Sequence, residues 1–125
     1  MILDTNAVSA VFAGDEHVAQ VLAGASRHHV PAIVLGEYRY GLKRSRKRGR
    51  LEKLLDRLER ESVVLIVDSR TAKHYADVRE ALRRRGQPIP ENDVWIAALA
   101  VQYRQPIVSR DTDFDAVEGV QRIGW

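Results

Sequence analysis

Four carboxylates in distant segments of the chain stand where they could share a metal ion: Asp4, Glu37, Asp93 and Asp111. Asp4 directly follows the apolar run Met1–Leu3, and Asp111 follows the run Ile107–Ser109. If both runs are strands of one parallel sheet, their carboxyl ends meet at the same edge, which is where such sheets carry reactive sites. Glu37 lies in an apolar helical pattern, and Asp93 opens another.

Each carboxylate also has a plain structural explanation. Asp4 and Asp93 could be helix N-caps, which contribute about 1 kcal/mol each. Glu37 could be a partly exposed helix residue. Asp111, Asp113 and Asp115 could belong to a solvated turn, as we expect for Asp115. These explanations weaken when taken together, because four segments far apart in sequence would bring carboxylates to one edge of the sheet. Two carboxylates about 5 Å apart repel by about 3 kcal/mol at an effective dielectric near 20. A cluster therefore needs shared protons or a cation.

The ligand chemistry favours a hard cation. Oxygen ligands select Mg²⁺ or Mn²⁺ over zinc. The chain has no cysteine, and its four histidines show no metal-ligand spacing. Such a cation activates a water and neutralises charge on a phosphodiester oxygen, while a carboxylate that is not fully used as a ligand can accept a proton. The pattern predicts phosphodiester hydrolysis without a protein nucleophile.

Short apolar runs alternate with helical patterns along the chain and predict an α/β fold with a central parallel sheet. The predicted strands are Met1–Leu3, His29–Val30, Ser62–Val67, Pro106–Ser109 and Val120–Ile123. The predicted helices cover roughly residues 7–13, 16–25, 32–42, 51–58, 70–85 and 92–101. No repeat or linker divides the 125 residues, so we expect one domain over residues 1–125.

The positive charge is concentrated in one part of the chain. The formal net charge is only +3, yet residues 39–60 hold ten basic residues against three acidic ones. Within this segment the connection Lys43–Arg50 is expected to link two helices and carries no acidic residue. It is a candidate surface for non-specific contact with nucleic-acid phosphates, through Lys43, Arg44, Arg46, Lys47, Arg48 and Arg50. The longest apolar run is far shorter than a membrane span, so we expect a soluble cytoplasmic protein with no membrane partner.

Four segments resemble the four motifs of PIN domains, most closely those of VapC-type ribonuclease toxins. The segments are Met1–Asn6, Gly36-Glu37 followed by Tyr40-Gly41, Asn92–Ala98, and Ser109–Phe114. They occur in order and span essentially the whole chain. The third motif is fairly specific, and the four together form a strong signal.

The resemblance implies a three-layer α/β/α domain in which Asp4, Glu37, Asp93 and Asp111 bind Mg²⁺ or Mn²⁺. Thr5, Asn6 and Ser109 match supporting polar positions. The fourth motif offers two carboxylates, of which we favour Asp111 as the ligand and Asp113 as a supporting residue.

The activity implied is endonucleolytic RNA cleavage that leaves 5′-phosphate and 3′-hydroxyl ends. Family members usually form homodimers and are silenced by a small VapB-like antitoxin. The antitoxin groove would here include Val8, Val11 and Phe12.

We therefore predict a Mg²⁺-dependent endoribonuclease acting as the toxin of a VapBC-type pair. Two alternatives stay open. One is a housekeeping PIN nuclease in RNA processing, and the other is a non-catalytic RNA-binding module in which the carboxylates are merely caps.

Overall fold

Five short parallel strands form the central sheet of the computed structural model, which describes residues 1–125. In chain order they are β1 (Ile2–Leu3), β2 (His29–Pro31), β3 (Val63–Leu65), β4 (Ile107–Val108) and β5 (Arg122–Ile123). Their order across the sheet is β3-β2-β1-β4-β5. Ile2 pairs with His29 on one side and with Ile107 on the other. The strand that precedes Asp4 is therefore adjacent to the strand that precedes Asp111.

Helices connect the strands, which confirms the predicted α/β fold with a central parallel sheet. They are α1 (Thr5–Phe12), α2 (Glu16–Ala23), α3 (Ala32–Leu42), α4 (Arg48–Glu61), α5 (Ser69–Arg84) and α6 (Glu91–Tyr103). A short 3₁₀ helix, Thr112–Ala116, lies between β4 and β5. Because every strand runs in the same direction, the segments that follow β1, β2 and β4 leave the sheet at one edge.

The core lies where α6 packs against the sheet and α5. Six residues of α6 are buried, namely Val94, Ile96, Ala97, Ala98, Leu99 and Ala100. A helix buried on nearly all sides has no amphipathic period, which explains why its sequence shows none. Phe114 of the 3₁₀ helix is also fully buried. Burial of such a side chain contributes about 1.5–3 kcal/mol and holds this short element against the core.

Several boundaries differ from the prediction. Helix α1 begins at Thr5 rather than Ala7, because the Asp4 side chain accepts a hydrogen bond from the Thr5 amide and starts the helix there. Strand β3 ends at Leu65, and the predicted strand residues Ile66 and Val67 are exposed. The 3₁₀ helix after β4 was not predicted, since five residues are too few to show a period.

The basic connection is also shorter than predicted. The link between α3 and α4 covers residues 43–47, and the prediction that it extends to Arg50 is wrong because α4 begins at Arg48. Arg48 donates to Glu52 one turn later, with its Nε 2.8 Å from the carboxylate oxygen. Such an i,i+4 ion pair supports the first turn of a helix.

Across the six helices, the apolar stretches are too short or too interrupted by charge for any of them to cross a bilayer.

Candidate metal centre

Asp4 lies at the centre of the candidate site, buried directly after β1. Its Oδ1 accepts from the Thr5 amide at 2.8 Å, so Asp4 does cap α1. Its Oδ2 accepts from Ser109 Oγ at 2.6 Å and from Asn6 Nδ2 at 3.3 Å. Burial raises the pKa of Asp4 despite these hydrogen bonds, which act in the opposite direction. The cap and the candidate ligand are thus the same side chain.

Ser109 and Asn6 tie the first motif to the fourth. Asn6 Nδ2 also donates to Ser109 Oγ at 3.0 Å, and the Asp111 amide donates to the same Oγ at 3.0 Å. Ser109 is fully buried at the end of β4. Because one hydroxyl contacts both Asp4 and the Asp111 backbone, the two acidic segments are held in a fixed relation.

Glu37 reaches the site from the second turn of α3. Burial raises its pKa, the negative charge of Asp4 raises it further, and the Asn92 amide partly offsets both. Its Oε1 is buried and has no hydrogen-bond partner. A buried carboxylate oxygen without a donor is unusual in a folded protein and fits a position completed by a cation or a water.

Asp93 lies in the first turn of α6, where Pro90 rather than Asp93 occupies the N-cap position. The interpretation of Asp93 as a cap is therefore wrong, because no side chain caps this helix. Its pKa is raised to about 7, first by burial and then by four other carboxylates in the order Asp4, Asp111, Glu37 and Asp113. The pKa of Asp93 is thus raised by every other acidic residue predicted for the site.

The fourth motif brings two carboxylates to Asp93. One oxygen each of Asp93, Asp111 and Asp113 lie within 4.8 Å of one another, close enough for all three to hold one ion. Asp111 also caps the 3₁₀ helix, because its Oδ1 accepts from the Asp113 amide at 2.9 Å. Asp113 is therefore nearer to a ligand position than its predicted supporting role suggests.

All four predicted ligands border one open cleft of about 710 Å³. Its lining contains no hydrophobic side chain and includes Asp4, Thr5, Asn6, Glu37, Asp93 and Asp111. Ser9, Glu91 and Asn92 also line it, and sequence reasoning did not single them out. Asn92 could have been found from its place beside Asp93, whereas Ser9 shows no signal because it becomes a cleft residue only through the position of α1.

The donor set fits a hard divalent cation. Every candidate ligand atom is a carboxylate oxygen, and Glu37 Oε1 and Thr5 Oγ1 are buried in this region without hydrogen-bond partners. Four like charges around one cleft are unfavourable by themselves, and a cation would reverse the sign of that interaction. The residues that could hold it are Asp4, Glu37, Asp93 and Asp111, with Asp113 in reach.

The six basic residues of the candidate RNA surface are all exposed: Lys43, Arg44, Arg46, Lys47, Arg48 and Arg50. Lys43, Arg44, Arg46 and Lys47 lie in the link between α3 and α4, and the other two lie on α4. Since α3 also carries Glu37, this surface begins at the end of a helix that reaches the cleft.

A shallow groove between α1 and α4 contains two of the three apolar residues expected there. Val11 and Phe12 line it together with Leu54 and Leu58, and Arg50 and Arg57 stand beside them. Val8 is fully buried in the core, so its inclusion in the groove is wrong. It lies one turn before Val11 and Phe12 and belongs to the hydrophobic core.

The chain is similar to known proteins in both sequence and fold. The PIN domain profile matches residues 1–120. "Ribonuclease VapC5" from Mycobacterium tuberculosis is 36% identical over 59 residues, which cover 47% of this chain and 44% of that protein. The chain thus spans about half the length of the first curated relatives it matches.

Solved structures match over nearly the full chain. DNA-bound VapBC from Salmonella typhimurium has a TM-score of 0.87 at 26% identity and covers 99% of this chain and 96% of that chain. VapBC-5 from Mycobacterium tuberculosis, a member of the VapBC family of toxin-antitoxin systems, has a TM-score of 0.78 at 26% identity, with coverage of 99% and 97%. The parallel sheet, the four acidic motifs and a profile match over residues 1–120 together show that this chain belongs to the PIN-domain family.

Proposed function

We propose that this protein is a divalent-cation-dependent endoribonuclease that acts as the toxin of a VapBC-type pair. The observation that carries the proposal is the convergence of four carboxylates from four separate segments on one polar cleft. Burial and repulsion by the neighbouring carboxylates together raise the pKa of Asp93 to about 7, and a bound cation would favour its ionised form. The names of the curated relatives, which are VapC ribonucleases, support the same activity.

Mg²⁺ or Mn²⁺ held in the cleft would supply an activated water and neutralise charge on a phosphodiester oxygen. Asp4 and Asp111 are oriented for such a cation by Ser109, which contacts both segments. Asp93 completes the set from α6. Glu37, whose Oε1 has no protein partner and whose pKa is raised, can accept a proton from the attacking water.

The substrate we propose is single-stranded or loop RNA. The cleft is open, which suits a polymer that must enter from the side, and an acidic cleft repels phosphates unless a cation is bound. The exposed basic residues of the α3–α4 link and the first turn of α4 supply compensating phosphate contacts. They carry no base-specific geometry, so we expect cleavage preference to depend on RNA shape.

A VapB-like antitoxin is the proposed partner. The groove between α1 and α4 offers Val11, Phe12, Leu54 and Leu58 to an apolar segment, with basic residues at its rim. The solved relatives that are complexes of toxin–antitoxin pairs support this assignment. On the family resemblance alone we extend the proposal to a homodimer, which sedimentation of the purified protein would test.

The decisive experiment incubates the purified protein with end-labelled RNA and Mg²⁺ or Mn²⁺. We expect internal cleavage that leaves 5′-phosphate and 3′-hydroxyl ends and stops when EDTA is added. Asp4→Asn and Asp93→Asn should reduce the rate at least 100-fold. Asp77→Asn, which removes an exposed carboxylate of α5 outside the cleft, is the matched control and should cleave as wild type does.

The outcomes separate the competing functions. RNA binding without metal-dependent cleavage, or equal cleavage by Asp4→Asn and Asp93→Asn, would favour the non-catalytic module and overturn the catalytic assignment. Cleavage of RNA combined with unimpaired growth on expression in a bacterial host would favour the housekeeping nuclease. Growth arrest that is relieved by co-expression of an adjacent small protein would support the toxin.

A further inference from the structure

The guanidinium of Arg122 makes three hydrogen bonds beside the candidate metal centre. Its Nε and Nη2 donate to the two carboxylate oxygens of Asp115 at 2.8 and 3.0 Å. Its Nη1 donates to the backbone carbonyl of Ser109 at 3.1 Å. The side chain is only 20% exposed. Asp115 is exposed, as expected for a solvated residue, but its carboxylate is also held by this bidentate pair.

The contact with Ser109 fixes the backbone that leads into Asp111. The carbonyl of the peptide between Ser109 and Arg110 accepts from Arg122, and the N–H of the same peptide donates to Asn6 Oδ1 at 3.2 Å. The next amide, that of Asp111, donates to Ser109 Oγ. A peptide held at both its carbonyl and its N–H cannot rotate without breaking two hydrogen bonds. The direction in which the chain presents Asp111 is thereby fixed.

The contact with Asp115 holds the segment on the other side of Asp111. Asp115 belongs to the 3₁₀ helix Thr112–Ala116, which also carries Asp113. The Asp113 amide donates to Asp111 Oδ1, so the start of this helix and the Asp111 side chain move together. The Arg122 guanidinium thus forms hydrogen bonds with Ser109, two residues before Asp111, and with Asp115, four residues after it. Asp111 and Asp113, whose carboxylates lie close to that of Asp93, are located between these two contacts in the chain.

Gly124 provides the space that Arg122 occupies. A Cβ atom at position 124 would lie 2.8 Å from Arg122 Nη1, which is closer than such atoms approach in folded proteins. The backbone of Gly124 does not need positive φ, so its lack of a side chain matters for space rather than for conformation. A small residue here permits the guanidinium to lie against the Ser109 carbonyl.

We propose that Arg122 is a positioning residue of the metal centre, which sets the orientation of Asp111 and Asp113 through Ser109 and Asp115. This inference rests on the proposed function, because it assigns a role toward the same site. Arg122 does not line the cleft, and its three hydrogen bonds go to Asp115 and Ser109 rather than to a candidate ligand. A surface ion pair alone would contribute little to stability and would not affect a metal site.

The test measures Mn²⁺ binding by isothermal titration calorimetry in the absence of RNA. Arg122→Gln should weaken binding about tenfold, as is typical when a group that orients metal ligands is removed. Arg122→Lys should recover little, because an ammonium cannot make the bidentate contact and reach the carbonyl together. Gly124→Ala keeps every charge and should weaken binding about threefold. Asp115→Asn should add little to Arg122→Gln, since both break the same connection.

The matched control is Arg84→Gln, which removes an exposed arginine whose Nε lies 3.1 Å from Glu80 on α5. It should bind Mn²⁺ and cleave RNA as wild type does. Among the Arg122 variants, kcat for RNA cleavage should fall while KM stays within about twofold. A merely stabilising ion pair would change the melting temperature and leave both Mn²⁺ affinity and kcat unchanged.

Two results would overturn the inference. If folded Arg122→Gln binds Mn²⁺ within twofold of wild type, Arg122 does not position the ligands. If Arg122→Gln fails to fold, Gly124→Ala and Asp115→Asn decide the question by the same affinity criterion. Wild-type protein that neither binds Mn²⁺ nor cleaves RNA would instead refute the proposed function, and the role of Arg122 with it.

Discussion

Neutralising Asp93 should stabilise the metal-free protein while abolishing its proposed activity. Asp93 is half-buried and repelled by four other carboxylates, which together with burial raise its pKa to about 7. A carboxyl whose pKa is raised on folding favours the folded state only while it is protonated. The free energy of unfolding of the metal-free protein therefore falls as the pH rises from about 4 to about 7 and stays low above that. The amide of Asp93→Asn does not ionise, so the variant should not lose stability in this way as the pH rises.

The size of the effect follows from the pKa. A rise from 3.8 to about 7 corresponds to about 4 kcal/mol. Solvent screening at a half-exposed position reduces this, and we expect about 2 kcal/mol. Repulsion from one carboxylate about 5 Å away, about 3 kcal/mol at an effective dielectric near 20, is of similar magnitude. For a domain of this length, about 2 kcal/mol raises the melting temperature by about 6–10 °C.

The assay is urea unfolding of the wild type and Asp93→Asn, each with EDTA, at pH 5 and pH 8. The variant should be the more stable protein at pH 8, and its advantage should shrink at pH 5, where Asp93 is protonated. Addition of Mn²⁺ should reverse the order, because a ligand that binds only the folded wild type stabilises it by mass action. Equal stabilities at pH 8, or an advantage that does not depend on pH, would refute the electrostatic reasoning.

Three further predictions concern the same site and its surroundings. Mn²⁺ affinity should rise about tenfold between pH 6 and pH 8, because Asp93 must lose its proton to bind a cation. Calorimetry in buffers of different ionisation enthalpy should detect the released proton, and the absence of proton release would contradict this prediction. Ser109→Ala should lower the free energy of unfolding by about 1–3 kcal/mol, because Asp4 Oδ2 and the Asp111 amide each lose a hydrogen-bond partner. An unchanged urea unfolding curve would show that water replaces the hydroxyl group. Replacing Lys43, Arg44 and Arg46 by Gln in the Asp93→Asn background should reduce the slope of log affinity for single-stranded RNA against log salt by about 2, and an unchanged slope would remove these residues from the RNA surface.

The convergence of the carboxylates was predictable because it depends on topology. Strands β1 and β4 are parallel neighbours, so the residues that follow them must meet at one edge whatever the details of packing. Glu37 and Asp93 were identified through motifs, and the structure brings their helices to the same edge. Asp4, Asp93 and Asp111 lie at or next to the ends of elements, whereas Glu37 lies in the second turn of α3.

The interactions of Arg122 were not predictable in the same way. They depend on which face of a two-residue edge strand the arginine occupies, and on a five-residue 3₁₀ helix that has no recognisable period. The extent of α4 was misjudged for a related reason. A run of basic residues is compatible with both a loop and a helix, and the Arg48–Glu52 pair that supports the helix involves a partner one turn away.

The most direct test of the central claim is an anomalous difference map from crystals of the wild-type protein grown with Mn²⁺. The account predicts a peak in the cleft, about 2.0–2.3 Å from carboxylate oxygens of at least two among Asp4, Glu37, Asp93 and Asp111. The peak should be absent from Asp93→Asn crystals grown in the same way. If crystals grown at a saturating Mn²⁺ concentration show no peak in the cleft, or show peaks only next to other residues, the account is contradicted.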